Sequence, residues 1–407
     1  MSRLTALPAS RRRGPAAALF VSRVVYAFNW YNVGAVLPLI GVGLSAGTER
    51  LGLVLGAFLI GVGVFQVPAG FAALRYGARK VSLWGLALFG AAGVASAFSP
   101  SIAALAGLRF VAGVGAALFF SPALSLIASY YPPGERGPVI GLYNGGFSLG
   151  GALGLFLGAW AGVTWGWPFA LGVGGGVLLV STAAAAVLLP PTPEDRSPRS
   201  VADVRRRGVA VLRSRALWAL SLALTGFWAA IYIVAQYFVQ FVHDARSAWG
   251  VGVGAALAAM VVIVSFPGGP LGGWVAERAI DRRLLAGVLA AVAALCVIAV
   301  PWMPLWALWP LFALLGLVDG MAFAVLYLIP AYLPETQGDD LALGVAVVNS
   351  IQVLIGSALA VAFGFLAASR GYPFAWLIAG ILALAPLPLL ALVPETVAPD
   401  PATRTPT

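Results

Sequence analysis

The eleven residues Gly70–Lys80, GFAALRYGARK, join two long apolar runs of the chain, 51–74 and 81–98. Each run is long enough to cross a bilayer as a helix, because the hydrocarbon core takes roughly 20 residues at a rise of 1.5 Å per residue. A connection of about six residues is typical of antiparallel neighbours and predicts a tight hairpin. Its charged side chains are all basic: Arg75, Arg79 and Lys80. Basic residues between spans concentrate on the cytoplasmic side, so the turn is expected there.

A second, altered copy of this stretch occurs at Gly273–Arg283, GWVAERAIDRR. It places Glu277 before Arg278 and ends on two arginines, with one residue more than the first copy has. Arg75 and Arg278 are 278 minus 75, or 203, residues apart, which is close to half of the 407-residue chain. One basic loop alone is ordinary in a membrane protein. Two at half-chain spacing predict a transporter built from parallel repeats.

The first copy resembles the loop between the second and third spans of major facilitator superfamily transporters, whose pattern is Gly-x-x-x-(acid)-Arg-x-Gly-x-(basic)-(basic). The chain departs from this pattern at Leu74, where the family usually has an aspartate, and at Ala78, which replaces one arginine. The resemblance implies an all-α integral membrane protein with twelve transmembrane helices in two pseudo-symmetric six-helix bundles. It also implies that both copies are gating loops, which hold the cytoplasmic side closed by pairing with helix ends and acids. The gating positions are Gly70, Arg75, Gly77, Arg79, Lys80, Glu277, Arg278, Arg282 and Arg283.

Composition excludes most soluble classes of protein. The chain is 61% hydrophobic and 9% charged, with a mean hydropathy of +0.96, so much of its apolar surface must face lipid. Its single cysteine, Cys296, excludes an internal disulfide, and its single histidine, His243, argues against a histidine metal site or a Ser-His triad. The spans carry no paired carboxylates, no histidine base and no Cys/His metal set, so a membrane-embedded enzyme is disfavoured. Nothing resembles a nucleotide-binding loop, so an ion or solute gradient is expected to drive transport. We expect no cofactor and no metal.

Twelve apolar runs are long enough to be spans. They are 16–43, 51–74, 81–98, 102–131, 139–162, 166–189, 216–242, 250–275, 284–301, 305–333, 341–367 and 373–393. The long polar gap falls after the sixth run and is rich in proline and arginine. We therefore expect a cytoplasmic tail over 1–15, a bundle over 16–189, a cytoplasmic linker over 190–215, a second bundle over 216–393 and a cytoplasmic tail over 394–407.

The distribution of basic residues predicts the orientation. With both termini cytoplasmic, three of the 24 basic residues fall in outside loops, Arg50, Arg246 and Arg370, and two fall within spans, Arg23 and Arg109. The other 19 fall on the cytoplasmic side, as the positive-inside rule requires. Topology thus explains a net charge of +10 that would suggest a nucleic-acid partner in a soluble protein. We expect a multi-pass monomer in the cytoplasmic (inner) membrane of a prokaryote, in contact with lipids and not with nucleic acid.

Three charged side chains lie within the predicted spans, where ionisable groups are costly and are functional candidates. Arg23 lies near the cytoplasmic end of the first span, from which its side chain is expected to reach the surface. Arg109 and Asp319 lie deeper, in the fourth and tenth spans, and we interpret them as a near-symmetric pair across a cavity. The sequence RFVAGVGAA around Arg109 resembles the family's fourth-span motif Arg-x-x-x-Gly-x-Gly, which the resemblance links to proton transfer. Hydrogen bonds to neighbouring backbone are the alternative for both.

The first span carries two polar stripes. Asn29 and Asn32 are neighbours on one helix face. Arg23, Tyr26 and Trp30 form another stripe on roughly the opposite side. Both stripes cannot fully line one cavity, and we expect the asparagines to face it.

By resemblance to the family, the first, fourth, seventh and tenth spans line the central cavity. The seventh span presents Tyr232, Gln236 and Gln240 at intervals of four residues, which places them on one helix face. Asn349 and Gln352, three residues apart in the eleventh span, are expected instead to make interhelical hydrogen bonds. The expected substrate-binding residues are Asn29, Asn32, Arg109, Tyr232, Gln236, Gln240 and Asp319. The expected proton-coupling residues are Asp319 and Arg109.

The fifth span has a glycine at every fourth position: Gly146, Gly150, Gly154 and Gly158. Small residues at this spacing let two helix backbones approach closely, so the stripe predicts a packing ridge. Antiporters of the family often carry Gly-Pro in this span. Here Gly151 occupies the proline position, which weakens an assignment as a drug–proton antiporter.

These features predict a secondary transporter that moves a small organic solute by alternating access and is driven by a gradient. An organic anion with proton coupling is the leading hypothesis, because Arg109 and Asp319 are the deep charges. Multidrug or metabolite efflux by proton antiport is the alternative, with aromatic and amide side chains as its recognition surface. A non-transporting sensor of the same superfamily is also compatible with these motifs.

Overall fold

The computed structural model describes residues 8, 12–46, 48–132, 135–191, 199–249, 251–279, 281–336 and 340–394, and this part of the chain is helical without strands. The helices of the first half are α1 (Arg13–Gly43), α2 (Thr48–Tyr76), α3 (Ala78–Ser96), α4 (Ile102–Tyr130), α5 (Arg136–Trp165) and α6 (Trp167–Leu188). A shorter helix, α7 (Val201–Leu212), follows. Those of the second half are α8 (Arg215–Ala245), α9 (Val251–Arg278), α10 (Arg282–Ala299), α11 (Leu305–Leu328), α12 (Leu341–Arg370) and α13 (Tyr372–Leu384). The predicted tails lie largely outside the described residues.

Twelve of the described helices form two bundles with the same internal packing. In the first bundle α1 packs against α5 and α6, and α4 packs against α2 and α3. In the second bundle α8 packs against α12 and α13, and α11 packs against α9 and α10. Ten described helices are long and apolar enough to cross a membrane, while α1 and α3 are the bundle helices outside that set. The helices follow the twelve predicted runs in number and order.

The turn between α2 and α3 is tighter than the sequence suggests. α2 continues through Tyr76 and α3 begins at Ala78, so the expected longer loop is wrong and one residue separates the two helices. That residue is Gly77, whose φ of 93° lies in a region that residues with a Cβ rarely adopt. The guanidinium groups of Arg75 and Arg79, on either side of this turn, bond to carbonyl oxygens of neighbouring segments.

Part of the predicted linker, 190–215, forms α7. The helix begins after Ser200, whose hydroxyl accepts a hydrogen bond from the backbone N–H of Asp203 and caps the first turn. One face of α7 is buried against α2 and α12. Arg207 on this helix lies 3.3 Å from a carboxylate oxygen of Asp340, just before α12. The linker therefore contacts both bundles at one end of the molecule, which we call the linker end.

The last helices of the two bundles, α6 and α13, begin in the same way. Each follows a glycine with positive φ, Gly166 at 89° and Gly371 at 85°. The residues after these glycines are Trp-Pro-Phe-Ala and Tyr-Pro-Phe-Ala. Proline is favoured in the first turn of a helix, where its missing N–H is not needed. This pair is a second sign of duplication, independent of the charged loops.

The glycine ridge of α5 packs against α1. A Cβ at Gly150 or Gly154 would collide with the carbonyl oxygens of Val24 and Phe28 on α1. The predicted packing ridge is therefore confirmed. This contact fixes the rotation of α1 and so decides which of its polar stripes faces the second bundle.

Candidate functional site

The two bundles touch along two helix pairs at the linker end. α5 packs on α9, where a Cβ at Gly141 would collide with the carbonyl oxygen of Gly269. α2 packs on α12, where a Cβ at Gly70 would lie 2.7 Å from the Cα of Leu343. Because glycines allow backbone to meet backbone, the two bundles are in direct contact and this end is closed.

Glu277, near the end of α9, bonds to the first turn of α5 in the other bundle. Its Oε1 accepts a hydrogen bond from the backbone N–H of Gly137 at 3.1 Å, and its Oε2 accepts one from the hydroxyl of Tyr332 at 3.0 Å. A carboxylate at a helix N-terminus is also stabilised by the helix dipole. The corresponding residue of the first copy, Leu74, is buried and apolar. The two copies therefore close the linker end by different chemistry.

The basic residue beside this acid is Arg282. Its side chain is fully buried, and its Nη2 lies 3.8 Å from Oε2 of Glu277. Arg278, expected as the symmetric counterpart of Arg75, instead lies over the ring of Trp274 at 4.2 Å. The contacts thus place Arg282, rather than Arg278, at the closed interface.

Arg79 and Arg283 make symmetric contacts. Nε of Arg79 donates to the carbonyl oxygen of Leu189 at 2.7 Å, just after α6. Nη1 of Arg283 donates to the carbonyl oxygen of Val393 at 2.9 Å, near the end of the second bundle. Both partners, like both arginines, are 204 residues apart (393 minus 189, and 283 minus 79). Each arginine satisfies a carbonyl group at the end of the last span of its bundle, a structural role.

Arg75, a further basic residue of the first copy, bonds to the linker. Nη1 of Arg75 donates to the carbonyl oxygen of Arg199 at 3.1 Å, and the backbone N–H of Arg199 donates to the carbonyl oxygen of Arg75 at 3.1 Å. These bonds attach the segment before α7 to the end of α2. Lys80 lies in the first turn of α3.

A central cavity of about 120 Å³ lies between the bundles, beyond the contacts of the linker end. Helices α1, α4 and α5 of the first bundle and α8, α9, α11 and α12 of the second line it. Its non-aromatic polar side chains are Arg23, Asn144, Ser148, Ser265, Asp319 and Asn349. Its aromatic side chains are Tyr26, Trp30, Tyr31, Phe120, Phe147, Trp228, Tyr232, Phe323 and Tyr327.

Arg23, which the sequence predicts to reach the surface, lines the central cavity instead. It lies ten residues after the start of α1, is 6% exposed and does not reach the surface as expected. Its guanidinium carbon lies 4.4 Å from the ring centre of Phe147, 4.6 Å from that of Phe120, and 4.8 and 5.0 Å from those of Tyr26 and Tyr143. Its Nε and Nη1 have no hydrogen-bond partner. Donors that lack partners in a cavity can bind a ligand acceptor.

Asp319 lies on α11, in the wall that the second bundle contributes to this cavity. It is 8% exposed, and its Oδ1 has no hydrogen-bond partner. In the same cavity the hydroxyl of Ser148 on α5 donates to that of Ser265 on α9 at 3.1 Å. A buried carboxylate with an open acceptor position can take up a proton or bind a donor group of a ligand.

Arg109 does not share the central cavity with Asp319. Arg109 lies seven residues after the start of α4, whereas Asp319 lies fourteen residues after the start of α11. The two helices occupy equivalent places in the bundles, so this difference corresponds to about 10 Å along the helix axis. The expected symmetric pair across one cavity is therefore wrong.

Arg109 instead lines a larger cavity of about 1040 Å³, which we call the vestibule. Its walls are those parts of α1, α2, α4, α5, α8 and α9 that lie away from the linker end. They include Gly34, Leu55, Phe58, Arg109, Leu153, Phe156, Trp160, Ala259 and Ile263. Three aromatic residues, Trp30, Tyr31 and Tyr232, line both the vestibule and the central cavity and so stand between them.

The amides expected to face the cavity lie elsewhere. Nδ2 of Asn29 donates to the carbonyl oxygens of Val25 and Gly174, both at 2.9 Å. Asn32 is 1% exposed and lies against Gly158 of α5 and Gly174 of α6. The expectation is wrong because glycines on two neighbouring helices make room for these amides inside the first bundle. The opposite stripe of α1 lines the cavity.

The structure places the other sequence candidates as follows. Tyr232 lies between the two cavities. The side chains of Gln236 and Gln240 lie outside the described residues. Asn349 accepts a hydrogen bond from the hydroxyl of Tyr327 on α11 at 2.9 Å, so its expected interhelical bond is confirmed. Gln352 is buried and its side-chain amide has no hydrogen-bond partner among the described residues, so the same expectation is wrong for Gln352. Among the described residues, no group of three or more His, Cys, Asp or Glu side chains is placed to hold a metal ion.

The arrangement of two six-helix bundles around a central cavity is matched by a family model. The model of the Major Facilitator Superfamily matches residues 19–339 of the chain. The chain belongs to this superfamily. It is therefore a multi-pass membrane transporter, and the predicted fold of twelve spans in two pseudo-symmetric bundles is confirmed.

Two solved structures share the fold over nearly the whole chain. A proton:xylose symporter, XylE, bound to 6-bromo-6-deoxy-D-glucose, matches with a TM-score of 0.73 at 15% identity, over 96% of this chain and 97% of that one. The Escherichia coli fucose:proton symporter FucP matches with a TM-score of 0.73 at 16% identity, over 95% of this chain and 100% of that one. At these identities the likeness shows the fold alone.

Curated relatives match over short stretches. A hexuronate transporter of Bacillus subtilis is 28% identical over 141 residues, 33% of this chain and 32% of that protein. The probable anion transporter 4, chloroplastic, of Arabidopsis thaliana is 31% identical over 127 residues, 30% of this chain and 23% of that protein. The multidrug resistance protein Stp of Mycobacterium tuberculosis is 32% identical over 136 residues, 33% of this chain and 25% of that protein. Each match spans less than a third of the relative's length.

Proposed function

We propose that this transporter carries a small organic anion together with a proton by alternating access. The observation that carries the proposal is that Arg23 and Asp319 line the same cavity from helices of different bundles. A ligand that contacts both residues touches both bundles at once. Since the bundles move against each other in alternating access, such a ligand favours the states in which both contacts are made.

Arg23 is the proposed binding group for the anion. Arginine keeps its charge, and its planar fork matches the geometry of a carboxylate. The rings of Phe147 and Phe120 hold the guanidinium in place without using its donors. This role replaces the one that the sequence suggests for Arg109, which lines the vestibule instead.

Asp319 is the proposed proton site. Burial away from water disfavours the ionised form of a carboxylate, and an opening cavity admits water. A carboxylate at the interface of two moving bundles therefore binds a proton more readily in one state than in another. Among the described residues that line the central cavity, Asp319 is the one with an acidic side chain, so proton coupling through this cavity depends on Asp319.

The relatives support an anion as the substrate, because two of them are named for hexuronate and for anions. The aromatic walls of the cavity support the second candidate, efflux of apolar compounds by proton antiport. We further propose a prokaryotic cytoplasmic membrane with both termini in the cytoplasm. In that orientation the linker end is cytoplasmic and the vestibule faces outward.

Transport by purified protein in proteoliposomes tests the proposed function. We expect one or more labelled organic anions to accumulate when a pH gradient is imposed and to exchange without one. Asp319→Asn preserves shape and hydrogen bonding but removes the titration, so it should lose accumulation and keep exchange. Asp203→Asn, on α7, is the matched control and should transport normally. Accumulation by the Asp319→Asn protein in response to the gradient would show that the proton binds elsewhere.

A further inference from the structure

The vestibule combines a single charged group with apolar walls. Among its described lining residues Arg109 is the one charged side chain, while α5 and α9 contribute mainly aliphatic and aromatic side chains. The volume of about 1040 Å³ reaches the upper end of the range for small-molecule sites, roughly 300–1,000 Å³. A space of this size and composition fits a ligand with one polar end and a long apolar body.

The guanidinium of Arg109 is available to a ligand. Arg109 is 3% exposed, its Nε has no hydrogen-bond partner, and no carboxylate of the described residues pairs with it. Its guanidinium carbon lies 4.1 Å from the ring centre of Phe58, which leaves the in-plane donors unused. Arginine has five N–H donors and no acceptor, so the group it can bind is an anion or a neutral acceptor. A buried cation without a partner favours the anion.

The vestibule also meets the lipid-facing surface between α5 and α9. These helices are in contact from the linker end as far as Ser148 and Ser265. Beyond that level they line the vestibule, and their side chains there are exposed: Phe156 by 76%, Val163 by 79% and Ile263 by 55%. Apolar side chains with this exposure in a membrane-spanning region are suited to contact acyl chains. A molecule in the bilayer can therefore reach the vestibule sideways, with its apolar part in contact with protein throughout.

We propose that the vestibule is a binding site for a single-chain amphiphilic anion, a fatty carboxylate, whose carboxylate pairs with Arg109 and whose chain lies along α5. A cation would be repelled by Arg109, and a small hydrophilic anion would leave the apolar walls without contacts. The site adjoins the central cavity across Trp30, Tyr31 and Tyr232, but Arg23 and Asp319 do not line it. It does not depend on whether the protein couples transport to protons.

Binding of radiolabelled dodecanoate to the full-length protein in zwitterionic nanodiscs tests this site, with empty nanodiscs as the blank. We expect saturable binding to one site. Arg109→Gln should weaken it at least tenfold, because the ion pair is lost, and Arg109→Lys should weaken it less. The matched control Arg213→Gln, an exposed arginine at the linker end, should bind as the wild-type protein does.

Two further arms test the apolar part of the site. Ala259→Phe fills part of the vestibule without changing its charge, so it should weaken dodecanoate binding. This variant tests the site independently if the Arg109 variants fail to fold. Acetate should not compete, because it lacks the chain. Wild-type affinity in both Arg109→Gln and Ala259→Phe would overturn the proposal. Loss of dodecanoate binding in nanodiscs that contain phosphatidylglycerol would also overturn it, since a two-chain lipid would then be the occupant.

Discussion

At the scale of single residues, Arg23 is a buried cation in the central cavity without a carboxylate partner among the described residues. A buried cation loses several kcal/mol of hydration, and a desolvated contact with an aromatic ring returns about 2 kcal/mol. No carboxylate of the described residues lies within salt-bridge distance of its guanidinium. A group that costs stability at the centre of a transporter is expected to be retained for binding.

Arg23→Met should raise the thermal stability of the ligand-free protein while abolishing transport of anions. Methionine fills a similar volume among the same rings without a charge, so we expect a net stabilisation of about 1 kcal/mol or more. The measurement is the unfolding midpoint in detergent, together with anion exchange in proteoliposomes. Arg213→Met, at an exposed position, should change neither. A lower midpoint for Arg23→Met would mean that the guanidinium is satisfied in the folded protein.

The rotation of α1 shows what the sequence can predict about single residues. Charged and amide groups within spans could be found from hydropathy, but their direction could not. Asn29 and Arg23 are both polar and buried, and the choice between them depends on glycines of other helices, such as Gly174 of α6. The depth of charged groups could not be predicted either, because Arg109 lies seven residues after the start of α4 and Asp319 fourteen after the start of α11. Directions and depths are set by packing that is distant in sequence.

At the scale of helices, the contact of α5 with α9 at the closed end includes a hydrogen bond between the bundles. Glu277 accepts hydrogen bonds from Gly137 of the other bundle and from Tyr332 of its own. Hydrogen bonds to a charged group contribute about 1.5–3 kcal/mol. That is enough to change the ratio of closed to open states tenfold or more.

Glu277→Ala should open the linker end. We expect a longer or broader distance between spin labels placed at Arg13 and Arg278, two exposed positions in different bundles, in a Cys296→Ala background. Double electron–electron resonance spectroscopy in nanodiscs measures this distance. Glu335→Ala removes an exposed acid at the same end and should leave the distribution unchanged. Identical distributions for the two variants would show that the glycine contacts alone keep this end closed.

Helix number and order could be predicted because each span is long and apolar. The connections were harder, since they depend on single residues and on distant carbonyl groups. The one-residue turn at Gly77 needs a positive φ, and it is stabilised by bonds from Arg79 to the end of α6. The linker helix α7 is amphipathic and packs on both bundles, which a search for apolar runs does not detect.

At the scale of the whole molecule, the structure is closed at the linker end and open at the vestibule. The closed end has two unequal halves, because α9 supplies Glu277 whereas α2 has Leu74 at the corresponding place. With the proposed orientation this is an outward-open state. Opening on the cytoplasmic side then requires the bond between Glu277 and α5 to break. The α2–α12 contact is mainly apolar and backbone surface, with one hydrogen bond from the hydroxyl of Ser350 to the carbonyl oxygen of Gly63.

The orientation is testable with single cysteines in the Cys296→Ala background. Tyr76→Cys lies at the turn between α2 and α3, at the linker end, and Ser247→Cys lies between α8 and α9, at the opposite end; both positions are exposed. Nineteen of the 22 basic residues outside the spans lie on the side of the linker if both termini are cytoplasmic, so that side should be the cytoplasm.

An impermeant maleimide added to intact cells should therefore label Ser247→Cys at once and Tyr76→Cys only after permeabilisation. Ala159→Cys, in the vestibule, tests the state as well as the orientation. Because the vestibule is open at the end away from the linker, this cysteine should be labelled from outside in the resting protein. Labelling of Tyr76→Cys in intact cells would reverse the orientation and make the structure inward-open. If Ser247→Cys is labelled in intact cells but Ala159→Cys is not, the orientation is correct and the vestibule is closed to water in the membrane.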